Sequence, residues 1–373
     1  MVHFSAFRGD AVPVLGRWSK ASTLVLLGGG LAALGALLAV LLLAAGDFRS
    51  TIAANQSHAA LLARVLEDQA TRTLESGEMA LDALSASPVL RASAPDAERM
   101  QAALNQALLG LPFLRAIAVV DVHGNVLVST TASESGMRIN MDKLGPRGPA
   151  GRSSMGPLIM GRGLAAIRAT GAAQEVPQGL AFIPLLQSFV SDAGRPLVLV
   201  GLANPDAFSN FQYLTLETES FDSVITTYRG TVLAGSRAGG RLVGSSVGSI
   251  PVFTHFLPAR EHATYIGKGA LGERQILAFR TSGTKPIVVI VEESYSQAAW
   301  NWFYSAGALL GVGCVLVLLV VGLTWAIWRA VRLREVSRRA ADRAQQRIAQ
   351  SERELSVLMR SVQELIFRTD VHG

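Results

Sequence analysis

Cysteine is almost missing from this 373-residue chain: the single one, Cys314, sits inside an apolar run, so no disulfide can staple the fold. Formal charge is missing from two long stretches, Ala21 to Gly46 and Ser294 to Trp328, and a spanning helix needs only roughly 20 apolar residues. H-E-x-x-H, C-x-x-C and Walker sequences are absent too, which removes the usual signatures of zinc hydrolysis, thiol exchange and phosphate-loop chemistry. What is present is apolar: the mean hydropathy is +0.34, too high for an ordinary soluble protein.

Two membrane passes follow, at 21–46 and 300–328. Leu31 to Ala45 is apolar throughout and lacks an A-x-A-like exit, so the first pass reads as retained rather than cleaved. The charge split orients them. Residues 1–20 carry Arg8, Arg17 and Lys20 against Asp10, residues 47–293 are balanced, and the tail from Arg329 holds ten Arg against six acids. Lys/Arg excess marks the cytoplasmic flanks, so both termini are expected in the cytoplasm and the neutral middle outside. The pI of about 9.9 then reflects topology and implies no nucleic-acid partner.

Beyond the first pass, Ile52, Leu62, Leu66, Ala70, Leu74 and Leu81 recur at helical spacing, predicting a helix that continues to about Pro88. A second helix should start near Pro95-Asp96 and end at Gly110. Strand signals take over at Ala116–Asp121 and Val126–Ser129 around Gly124, then at 157–160, 179–186 and 196–202, followed by a helix opened by Asn204-Pro205-Asp206. From Phe221 the pattern restarts. Gly124-Asn-Val-Leu-Val-Ser is echoed by Gly230-Thr-Val-Leu-Ala-Gly, Leu180-Ala-Phe by Leu277-Ala-Phe, and Arg195-Pro-Leu-Val-Leu-Val by Lys285-Pro-Ile-Val-Val-Ile. Two tandem antiparallel α+β modules are implied.

Gly244-Ser-Ser-Val-Gly248 has the G-x-S-x-G spacing of a hydrolase elbow, but its flanks suggest a loop between antiparallel strands. His255 and His262 flank Glu261 without ligand spacing and read as a solvated loop. No catalytic residue, metal site or cofactor is assigned. For binding, Arg162 can fork to a carboxylate, with Arg168 and Asp206 expected nearby. Gly307-x-x-x-Gly311 offers a close helix approach, and Ala341, Ala344, Ile348, Ser351, Leu355, Leu358, Val362 and Leu365 form a heptad seam over 329–363, the mark of a coiled coil in a homodimer. Glu364-Leu-Ile-Phe-Arg-Thr-Asp370-Val-His-Gly373 reads as a strand running into a turn, so the chain is expected to stop inside a domain.

After the long helix that leaves the membrane come, in order, Val119-Val-Asp121-x-x-Gly124-x-Val-Leu, Phe182-Ile-Pro184-Leu, Leu202-Ala-Asn-Pro-Asp206-Ala-Phe208, Ala278-Phe-Arg280 and Pro286-Ile-Val-Val. By these motifs the exported part resembles a double Cache (PDC-type) sensor domain. Residues 364–373 look like the first strand of a PAS domain. The resemblance implies an α+β membrane protein of the bacterial inner membrane: a periplasmic unit at 47–298, with a distal module at 89–215 and a proximal one at 216–298, between two transmembrane helices. It also implies a small carboxylate or amino-acid ligand in the distal module, and a histidine kinase or cyclic-di-GMP output. A membrane-tethered hydrolase and a chemotaxis receptor are the alternatives.

Overall fold

The computed structural model describes residues 20–94, 96–169, 180–257 and 259–369. Contacts divide the chain into two units, Met1–Asp47 with Tyr304–Gly373, and Phe48–Phe303.

Helix α1 (Lys20–Ser85) gives way to the single turn α2 (Pro88–Arg91) and to α3 (Ala97–Leu109). Asp96 caps α3, its carboxylate accepting from the Glu98 and Arg99 amides and so satisfying two otherwise orphaned donors. The first sheet follows: β1 (Leu114–Asp121), β2 (Val126–Ser129), β3 (Ser153–Met155), β4 (Ile159–Met160), β5 (Ala181–Val190) and β6 (Pro196–Ala203). After α4 (Pro205–Thr215) comes a second sheet of β7 (Asp222–Thr227), β8 (Val232–Gly235), β9 (His262–Gly267), β10 (Gln275–Thr281) and β11 (Ile287–Ser294), with the short α5 (Arg237–Gly240) after β8. The chain continues into α6 (Tyr295–Ser305) and α7 (Gly307–Thr369).

Both sheets are antiparallel and share one strand order, β2-β1-β6-β5-β3 and β8-β7-β11-β10-β9, with β4 paired to β5. The likeness extends to the turns. Gly124 and Gly230 both sit at positive φ, +87° and +79°, where only glycine is unstrained. Their amides donate to the Asp121 and Thr227 carbonyls, and each hairpin shifts register at an equivalent place in the strand before the turn, between Val119 and Val120 in β1 and between Ile225 and Thr226 in β7. At the first turn, burial pushes the Asp121 carboxyl up, but bonds from the Asn125 side chain and from the Asn125 and His123 amides outweigh it and hold the group below the usual carboxylate range.

The strands read as continuous apolar runs because both faces are covered. On the first sheet Ile117, Val119, Leu185 and Leu199 face α1 and α3, while Ala118, Val120, Phe182 and Val200 pack with Leu164 and Ile167. On the second, Ile287, Val289 and Val291 face the α1 side, while Leu277, Phe279, Val288 and Ile290 form a separate core. Helix α1 serves both sheets in succession. Asn55 donates to Glu293, Thr71 to Ser282, and Glu67 pairs with Arg280 at 3.4 Å; further along, Asp82 accepts from Gln187. Glu78 touches both, accepting from Ser153 of β3 at 2.6 Å and pairing with Lys285 ahead of β11. Leu81 packs onto Gly201 of β6, where a Cβ would come within 3.0 Å of its methyl.

In the other unit, α1 and α7 run antiparallel and each holds a stretch long and apolar enough to cross a membrane. Gly29 lies against Thr324, and Gly313 against Val40, so it is these glycines that allow the close approach. In the single chain Gly307 and Gly311 meet nothing within 4 Å. At the end of the apolar stretch Arg329 lies 5.5 Å from the Trp325 ring and Arg332 4.9 Å from Trp328.

Three expectations need correction. Residues 364–369 are helical, the last part of α7, not a strand. A helix closes its own backbone bonds, whereas a strand there would have no partner among the described residues. Asp370–Gly373, and the expected cytoplasmic segment up to residue 19, lie outside the described residues. Next, His262 does not sit in a loop: it opens edge strand β9, and His255 lies in the helical turn Val252–Phe256. Last, only Ile159–Met160 of the 157–160 segment is a strand, and β3 precedes it.

Candidate ligand cleft

The start of β1 is where the first sheet becomes polar. Arg115 precedes the buried run Ala116–Val120, and its guanidinium is only 16% exposed. It donates to the Ala181 carbonyl at 2.9 Å, to Asn204 Oδ1 at 2.6 Å and to Asp206 Oδ2 at 2.9 Å. Asn204 Oδ1 also accepts from the Asp206 amide, capping α4. One arginine thus joins β1, β5 and the start of α4.

Beside it opens a cleft of about 790 Å³, within the range of small-molecule sites. Arg115, Thr131, Ser133, Glu134, Arg162 and Gly163 are among its lining residues. Glu134 is 3% exposed; its Oε2 accepts from Ser129 Oγ at 3.0 Å, and Ser129 Oγ accepts in turn from the Thr131 amide. Glu134 Oε1 fills the place a Cβ at position 163 would take, so a side chain there would have to push the carboxylate aside. The cleft therefore has a buried carboxylate on its floor, hydroxyls on one wall and an exposed guanidinium, Arg162, at its rim.

Of the three residues singled out from sequence, Arg162 lines the cleft and Asp206 reaches it through Arg115. Arg168 does not line it; the residue is exposed and its backbone bridges to Ile139. Arg115 and Glu134 escaped sequence reading. Arg115's partners lie 66 to 91 residues away, and the one usable signal was a charge at the head of an otherwise apolar strand. Glu134 stands among small polar residues that look like an ordinary surface turn.

A second groove, about 440 Å³, lies between α1 and β9–β10, lined by Leu61, Arg64, His262 and Arg280. There Arg280 is already paired with Glu67. Ser246 of the G-x-S-x-G segment sits in a loop that bridges to Thr231, beside an antiparallel sheet, so the strand-turn-helix setting of a nucleophile elbow is not formed. Among the described residues, no three His, Cys, Asp or Glu side chains gather as a metal site.

No family model and no curated protein matches the sequence. Solved structures do. The extracellular domain of the candidate histidine kinase rpHK1S-Z16 aligns with a TM-score of 0.53 at 18% identity, over 66% of this chain and 97% of that one. The ligand-binding domain of the Pseudomonas aeruginosa PAO1 amino acid chemoreceptor PctC, in complex with GABA, gives 0.47 at 10%, over 64% and 100%. A domain of a sensory box/GGDEF family protein from Vibrio parahaemolyticus gives 0.47 at 14%, over 68% and 99%. At these identities the likeness is one of fold alone.

Proposed function

We propose that this chain is a membrane-bound sensor that binds a small carboxylate-bearing ligand in the cleft of the first sheet. The observation that carries the reading is the cleft itself, with opposed charges at floor and rim, in a unit bracketed in sequence by two helices able to cross a membrane. Arg162 takes the ligand's carboxylate, which matches a guanidinium's fork. Glu134 takes a donor or cationic group at the other end, since a buried carboxylate gains most from a charged partner. Arg115 and Asp206 set the wall between them and report occupancy to α4. The resemblance to double Cache receptors and the fold likeness support the same role. On this reading the unit is periplasmic, both termini are cytoplasmic, and two copies pair along the α7 seam, where Ile348 and Leu355 are about 60% exposed in the single chain. The output on this reading is a histidine kinase or a cyclic-di-GMP enzyme.

Two measurements test it. A phosphatase fused near Ser236 should be active and one fused near Arg347 silent; the reverse pattern overturns the topology. In a thermal-shift screen of small carboxylates, a ligand at 100 times its dissociation constant should add about 2.7 kcal/mol. Arg162→Ala should erase that gain without changing the unliganded melting point. An undiminished gain in the variant clears Arg162 of the role.

A further inference from the structure

Two adjacent carboxylates, Glu292 and Glu293, end the apolar run of β11 and are 1% and 2% exposed. Alternation sends them to opposite faces. Glu293 turns to the α1 side, where Asn55 and Ser220 donate to it and His58 and Glu219 lie near. Glu292 turns to the other core and lies under the segment 268–274 that joins β9 to β10. Its Oε1 accepts from the Ala270 amide at 3.0 Å and its Oε2 from the Leu271 amide at 3.3 Å. Gly269 lies directly against the Glu292 carboxylate, so a side chain there would have to displace it. Across the sheet, Glu292 is in register with Asp222 on β7 and Leu277 on β10, and Leu277 with Tyr265 on β9.

The segment over Glu292 is also fastened to the helix that follows β11. Its last residue, Arg274, lays its guanidinium over the Tyr295 ring at 3.9 Å, and the Tyr295 amide donates to the Arg274 carbonyl at 3.2 Å. Tyr295 is the first residue of α6. One carboxyl group therefore sits beneath the strap that holds the start of α6.

We infer that Glu292 is a proton-binding site: protonated, it lets the 268–274 strap close over it, and as it ionises the strap is driven open and its hold on Tyr295 loosens. The argument rests on burial. A carboxylate enclosed between strap and core needs more than two amide donors to replace the water it has lost. Asp222 adds a second negative charge in the next strand, and among the described residues no cation pairs with Glu292. The nearby charges of the strap point elsewhere: Lys268 pairs with Glu273 at the surface and Arg274 with Tyr295, while the Tyr265 hydroxyl donates to the Lys268 carbonyl. Burial, with Asp222 adding to it, outweighs the Leu271 and Ala270 amides and raises the Glu292 carboxyl to about 7. An open strap exposes Glu292 to water and returns it to the ordinary range near 4.5. The closed form thus binds the proton more tightly, so closure is favoured in acid and lost as pH rises through about 7. This holds whether or not the cleft of the first sheet binds a ligand.

Hydrogen exchange on the full chain in lipid nanodiscs tests it, with rates corrected for their intrinsic pH dependence. Between pH 5 and 8, peptides covering 268–274 should lose protection more than tenfold in the wild type. Glu292→Gln, neutral at every pH, should keep the acid level of protection throughout. Glu293→Gln should leave the transition of the strap in place. Should Glu292→Gln fail to fold, Asp222→Asn serves instead: removing the neighbouring charge should move the transition to lower pH. A strap whose protection changes less than twofold across this range, a Glu292→Gln variant that keeps the wild-type transition, or an unmoved midpoint in Asp222→Asn would each overturn the inference.

Discussion

Lys285→Met should destabilise the Phe48–Phe303 unit by about 3–5 kcal/mol, the usual cost of removing one partner from a buried ion pair. The Lys285 and Glu78 side chains are only 11% and 15% exposed, so solvent screens little of the loss. Glu78 would retain Ser153 but face the interior without its counter-charge. Thermal unfolding of the full chain in detergent reads the effect as a fall of roughly 10 °C for a unit of this size. Glu78→Gln combined with Lys285→Met should recover most of it, because neither charge is then left alone. A single-variant cost below about 1 kcal/mol would mean that water reaches Glu78. The position matters beyond stability, since this pair and the Ser153 bond together join α1 to both sheets.

One residue inserted near Gln350 should abolish the ligand response of the proposed receptor, and seven inserted at the same place should restore it. A single insertion turns the helix downstream by about 100° and throws Leu355 and Leu358 off the seam, whereas seven residues return them to phase. The structure supplies the premise that α7 is helical across this region, from Gly307 to Thr369. The readout is ligand-dependent output of the full receptor. If both insertions behave alike, the seam is only a tether.

Much of this fold is legible in sequence because the information is local. The two glycine turns, each after an apolar run, mark equivalent hairpins, and the helical spacing of Leu62, Leu66, Ala70, Leu74 and Leu81 marks the face of α1 that is buried. Where local signals are ambiguous, reading fails in a physical way. Leu365-Ile-Phe is a short apolar run that periodicity cannot divide between strand and helix, and it is helical. Strand β9 alternates between exposed and half-buried residues at the edge of its sheet, too faint a pattern to separate from a polar loop. The cleft was half legible: Arg162 stands out in a glycine-flanked segment, but the Arg115 network is written in three parts of the chain. Only folding brings Asn204 and Asp206 to the head of β1.

The shared use of α1 also sets the order in which this protein can mature. Synthesis runs from the N-terminus, so α1 is made early, while β11, which faces it in the second sheet, is the last strand of that sheet to be made. In each sheet the central pairing joins the first strand to the last, β1 to β6 and β7 to β11, contacts that close long loops and so form slowly. Until β11 arrives, the apolar stripe from Ala59 to Leu74 has no complete cover. A chain halted anywhere in the second sheet therefore carries a long amphipathic helix with its greasy side bare, a natural target for holdase chaperones and quality-control proteases.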